Sequence, residues 1–145
     1  MSIDRWSLVR FVHVLAAMGW VGGQLLLSGV VVPALRAGVE PELGGVLIRA
    51  TAKRFTTIAT LGLLPTLLVT GIAQAMHRGV TMSTFGEPGY GRLLGIKLVL
   101  AALSVILAAV HGILATRRPT SARIAAVSGL GASVAVVVFA TALVP

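Results

Sequence analysis

The chain has 145 residues, a formal charge of +8, an isoelectric point near 11.8, 57% hydrophobic and 11% charged residues, and a mean hydropathy of +0.99. That composition excludes an ordinary soluble domain, and the lack of cysteine excludes disulfides, thiolate metal sites and iron–sulfur clusters. The basic balance falls at the ends of apolar runs, where it meets anionic lipid and sets orientation, so the expected partner is the bilayer and not nucleic acid.

Four apolar runs, at about 7–35, 55–76, 92–115 and 124–144, are each long enough for a spanning helix, which needs roughly 20 apolar residues. The expected fold is all-α: an integral membrane four-helix bundle, up-down-up-down, in one domain covering 1–145. The first run far exceeds the 7–15 apolar residues of a signal peptide, so it reads as a retained helix. After it, Gly38, Pro41, Gly44 and Gly45 predict a break, followed by a short amphipathic piece over 46–54. The connection over 78–91 carries Gly79, Gly86, Pro88 and Gly89, a turn-rich run. Between the last two helices stands Pro119-Thr120-Ser121, with Ser121 the expected N-cap. In the last helix Ala125, Gly129 and Ser133 recur every four residues, a close-packing face.

Positive charge sets the expected topology. Arg36, Arg49, Lys53, Arg54, Arg117, Arg118 and Arg123 lie in the first and third connections; Arg5, Arg10, Arg78 and Arg92 lie on the other side. Seven against four, with Lys97 set aside as intramembrane, places the first and third connections in the cytoplasm and both termini outside the cytoplasmic membrane.

Polar residues at membrane depth carry the candidate chemistry. His13, Trp20 and Gln24 share one face of the first helix; Thr66, Thr70 and Gln74 form a stripe around Pro65 in the second; Lys97, Ser104 and His111 form another in the third. An ionisable group in lipid is costly, which directs such stripes inward. Most intramembrane Ser and Thr bond the carbonyl four residues back, Trp20 alone reads as packing, and Lys97 alone reads equally as a snorkelling side chain. The two histidines have no Asp or Glu in any span to partner them and are the ligand candidates. His111 lies about 21 Å beyond the level of Lys97 at 1.5 Å per residue, while His13 lies near that level. Two sites are expected: an outer one with His13, Lys97 and Gln74 or His77, and an inner one with Gln24, His111 and Arg54. Lys97 is expected to face the interior beside His13. No catalytic residue set is legible.

The pattern His13-x6-Trp20-x-Gly22-Gly23, then Arg54-Phe55 and Thr70-Gly71, then Tyr90-Gly91-Arg92-Leu93-Leu94 with Lys97, resembles the copper-resistance D (CopD) domain family over roughly residues 5–115. The His-x6-Trp spacing, Lys97, His111-Gly112 and the apolar ending over 136–145 closed by Pro145 resemble the HemJ family. Those are four-helix membrane proteins tied to protoporphyrinogen oxidation and a b-type haem. The first resemblance implies copper handling, with His13 as an intramembrane ligand and Met76, His77 and Met82 as an outer metal site. The second implies a haem b; in this chain His13 with Ala16 and Ala17, or His111 with Ala108 and Gly112, supplies the imidazole and the slot, with Trp20 nearby and Arg10, Lys97 or Arg54 for the propionates. Cuprous ion prefers soft ligands, and Met18 is the sole Met well inside a span. A haem asks only for an imidazole, a small-residue slot and cations. Ligand chemistry leans to haem and the residue pattern to copper. The third expectation is a scaffold subunit without ligand, in a homo-oligomer or beside another membrane subunit.

Overall fold

The structure is a computed structural model describing residues 4–115 and 117–142. Four helices long and apolar enough to cross a membrane make up most of it: α1 (Arg5–Gly38), α2 (Pro41–His77), α3 (Tyr90–Leu114) and α4 (Pro119–Ala142). The fold class is all-α, and among the described residues there is no strand. The chain is a multi-pass membrane protein by the length and hydropathy of these helices. It divides into two compact units: the first ends at Val80 and holds the α1–α2 hairpin, and the second begins at Thr81 and holds α3–α4.

Burial is inverted relative to a soluble protein. The buried apolar residues among those described are all alanines: Ala16, Ala59, Ala122, Ala125 and Ala132. Large aliphatic side chains point outward, with Leu61 76% and Val99 68% exposed. Lipid is as apolar as leucine, so leucine gains nothing by burial there, and small residues line the contacts where backbones approach.

The helices outrun the apolar runs. Asp4 caps α1, its Oδ1 accepting from the Ser7 amide (2.7 Å) and hydroxyl (2.8 Å), so the helix starts two residues before the apolar run. α2 starts at Pro41, not near residue 55. Glu40 stands just outside the helix (φ −54°, ψ 138°), its carboxylate accepts from the Leu43 amide, and Pro41 stands at the first helical position, where its missing N–H costs nothing. The amphipathic stretch 46–54 is therefore the first turns of α2 and not a separate piece. Gly44 and Gly45 are helical, and the break narrows to Val39–Glu40. A Cβ on Gly44 would lie 3.2 Å from the Leu35 carbonyl oxygen, so its bareness lets the two rods meet at the turn. Likewise α4 begins at Pro119, which puts Ser121 inside the helix rather than at its cap; the expected end at Val144 lies outside the described residues.

Each rod of the first unit contains a π-helical turn, Leu27–Val31 in α1 and Ala59–Leu63 in α2. Pro33 and Pro65 follow two residues after the ends of these turns. A proline inside a helix lacks the N–H for the preceding turn and crowds the carbonyl four residues back. Here the Val32 and Leu64 amides reach five residues back, to the Leu27 and Ala59 carbonyls, which widens the turn ahead of each ring.

α2 ends at His77 and is closed by Gly79 (φ +67°), with Val80 N–H bonding Ala75 O and Gly79 N–H bonding Met76 O, a Schellman cap. A 3₁₀ turn, Met82–Gly86, and Gly89 (φ +84°) then lead into α3.

Candidate functional site

The α1–α2 hairpin is antiparallel, and its register brings together the polar residues read separately from the sequence. Thr70 donates its hydroxyl proton to the Thr66 carbonyl, four residues back on α2. His13 Nδ1 lies 2.8 Å from Thr70 Oγ1. A hydroxyl has one proton and two lone pairs. With that proton committed to Thr66, Oγ1 accepts from His13, and Nδ1 carries the hydrogen. The neutral ring then has its lone pair on Nε2. Gly71 lies beside the same ring: a Cβ there would be 3.4 Å from His13 Cε1.

About two turns along α1 from His13, Trp20 stacks on Phe55 of α2 with centroids 6.2 Å apart and planes 19° off parallel. Gly23 makes that approach possible, because a Cβ on it would come within 2.2 Å of Phe55 Cε2. Gly19 faces Leu63 in the same way at 3.1 Å. At the other end Trp6 stacks on His77, centroids 3.7 Å apart and planes 12° off parallel. Gln74 lies between, its Nε2 donating to the Thr70 carbonyl, as Gln24 donates to Trp20 O on α1. Thr66, Thr70, Gln74 and His77 thus run along one side of α2, two turns or about 10 Å from Thr70 to His77 at 1.5 Å per residue. Stacking occupies the face of the His77 ring and leaves its nitrogen lone pair in the ring plane.

The second unit holds the other histidine. His111, near the end of α3, has Nδ1 2.9 Å from the Ala122 carbonyl in the first turns of α4. A carbonyl only accepts, so Nδ1 again donates and the neutral tautomer again has Nε2 as acceptor. Deeper in this hairpin Ser104 and Ser133 are buried and hydrogen-bonded to each other, and Ser133 also bonds Gly129 O (3.0 Å). A Cβ on Gly129 would stand 3.1 Å from Leu107 Cβ. The four-residue repeat Ala125, Gly129, Ser133 is thus the face α4 turns to α3.

The structure brings His13 to Thr70 and Gly71, Trp20 to Phe55, and His77 to Trp6. Lys97 is half-buried in α3 and Arg54 exposed on α2. The outer and inner sites expected from depth join residues of different units: His13 and Gln74 with Lys97, and Gln24 and Arg54 with His111. Of the expected outer metal residues, Met76 and His77 end α2, and Met82 opens the 3₁₀ turn of the second unit; both methionines are exposed. Among the described residues no three His, Cys, Asp or Glu side chains gather as a metal cluster. Thr70 is the partner missing from the sequence-derived site; it stood in the stripe with Thr66 and Gln74, and only the hairpin register assigns it to His13. Trp6, which stacks on His77, carried no signal beyond its place near the membrane surface.

Fold and site together define a multi-pass α-helical membrane protein whose α1–α2 hairpin orients an imidazole by a hydrogen bond. No protein-family model, curated protein or solved structure matches the chain.

Proposed function

We propose that the protein handles copper ions at or across the cytoplasmic membrane, in the manner of the CopD domains its sequence resembles, with His13 Nε2 as the intramembrane ligand. The observation that carries this is the His13–Thr70 hydrogen bond. Metal-bound histidines commonly donate their second ring nitrogen to an oxygen acceptor, which fixes the tautomer and raises ligand basicity. Cuprous ion accepts imidazole and thioether ligands. His77 ends the α2 face that leads to Thr70, and Met76 stands exposed beside it in sequence, so this helix end is the outer approach in this reading; Met82, exposed at the start of the second unit, is a further soft donor for it. Both termini lie outside the cytoplasm in this reading, which makes the approach an outward-facing one. Titration of the purified protein with cuprous ion, followed by metal analysis, tests it. The expected result is bound copper, lost in His13→Ala and weakened in His77→Ala. Absence of bound copper, or equal binding by both variants and the parent, overturns it.

A second reading, a b-type haem protein of the HemJ kind acting on a porphyrinogen, is favoured by His111. Its imidazole is tied at Nδ1 in the same way and so has the tautomer that an axial ligand needs. A red preparation whose Soret band disappears in His13→Ala or His111→Ala would support it, and a colourless preparation from haem-replete cells overturns it. If copper and haem both fail to bind, a scaffold subunit remains.

A further inference from the structure

His13 sits among groups that fix more than its position. The Thr66 carbonyl takes the single proton of Thr70 Oγ1, so the hydroxyl faces His13 with lone pairs alone. An Oγ1 without that commitment would serve either tautomer, donating to a bare Nδ1 or accepting from a protonated one. The backbone of α2 removes the choice. The link is intrahelical at one end and crosses the hairpin at the other, so a helix carbonyl dictates which nitrogen of a ring on the neighbouring helix bears hydrogen. Gly71, next in sequence, leaves the ring edge in ordinary van der Waals range of its own position, so the imidazole lies against α2 without displacement.

We propose that Thr70 is a positioning residue: polarised by the Thr66 carbonyl, it locks His13 as the Nδ1–H tautomer and makes Nε2 the nitrogen that meets an electron-pair acceptor such as cuprous ion. The lock itself stands on the hydrogen-bond geometry; its use in ligation rests on the function proposed above. Threonine at this place does what valine, its near-isostere, cannot, whereas serine retains the required oxygen.

Nitrogen-15 NMR of histidine-labelled protein, recorded with the imidazole neutral, reads the tautomer without any ligand. The parent is expected to show His13 protonated at Nδ1. Thr70→Val is expected to move it toward the Nε2–H form that unconstrained histidine prefers, and Thr70→Ser to restore Nδ1–H. A parent in the Nε2–H form, or a Thr70→Val protein with the parent's tautomer, overturns the lock. Competition for cuprous ion on the same three proteins reads its use. A loss of about tenfold or more in Thr70→Val, recovered in Thr70→Ser, is the size expected when an outer partner of a ligating histidine is removed. Unchanged affinity in Thr70→Val, where His13→Ala abolishes binding, overturns the positioning role. If the tautomers respond as expected and no form binds copper, the lock is upheld and the copper reading is what fails.

Discussion

At the scale of single residues, glycine and threonine decide where the chemistry sits. Gly23 is held to hydrogen by the ring of Phe55, since a methyl group would overlap Cε2. Gly23→Ala must push that ring away from Trp20, and overpacking of this kind costs about 1–3 kcal/mol. Unfolding titrations are expected to show the loss, and Phe55→Leu in the same background to recover part of it. Asp4 acts at the other end of α1. The Ser7 amide and then its hydroxyl hold the Asp4 carboxyl below its ordinary value of 3.8, with Arg10 adding a smaller pull. A depressed carboxyl pKa means the cap contributes fully above that ordinary value and is lost as pH falls through the lower, folded one. Amide exchange in the first turn of α1 is expected to quicken only below about pH 3.8 in the parent, and to be fast at all pH values in Asp4→Ala.

At the scale of elements, the α3–α4 hairpin is held by small residues and one buried hydroxyl pair. Ser133→Ala removes that pair, and interhelical hydrogen bonds of this type in membranes average about 0.6 and reach about 1.7 kcal/mol. Gly129→Leu drives a branched side chain into Leu107 and the α3 backbone, so it is expected to destabilise the hairpin more than Ser133→Ala does. A detergent-unfolding series on the three proteins ranks them. An equal or reversed order would mean that α4 turns another face to α3.

The helices were legible in the sequence because lipid demands long apolar runs, and so was the α4 seam, because close approach demands small residues at helical spacing. The start of α2 was not. Residues 41–54 are too polar to register as a span, yet Glu40, Pro41 and Glu42 begin a helix that simply continues inward. The same limit governed the site. Hydropathy gives a residue's depth, whereas a pairing such as His13 with Thr70 also needs the rotation of each rod and the register of the hairpin. Depth gave His13 its level in the membrane; its hydrogen bond to Thr70 could be found only from the register of the α1–α2 hairpin.

For the whole molecule, the proposed orientation rests on basic residues: Arg36, Arg49, Lys53 and Arg54 on the side of the α1–α2 hairpin turn, and Arg117, Arg118 and Arg123 about the start of α4; the chain's lack of cysteine gives a clean background for mapping it. Ser83→Cys, in the α2–α3 connection, is expected to react with an impermeant thiol reagent from outside, and Thr120→Cys only after the membrane is opened. Labelling of Thr120→Cys in intact cells would reverse the orientation and leave the helices as they are. The central claim is that His13 presents Nε2 to a copper ion inside the membrane. Copper K-edge absorption on the purified, cuprous-loaded protein tests it most directly. The account predicts imidazole scattering around the metal that is lost in His13→Ala and retained in His111→Ala; a copper environment identical in His13→Ala and the parent would contradict it.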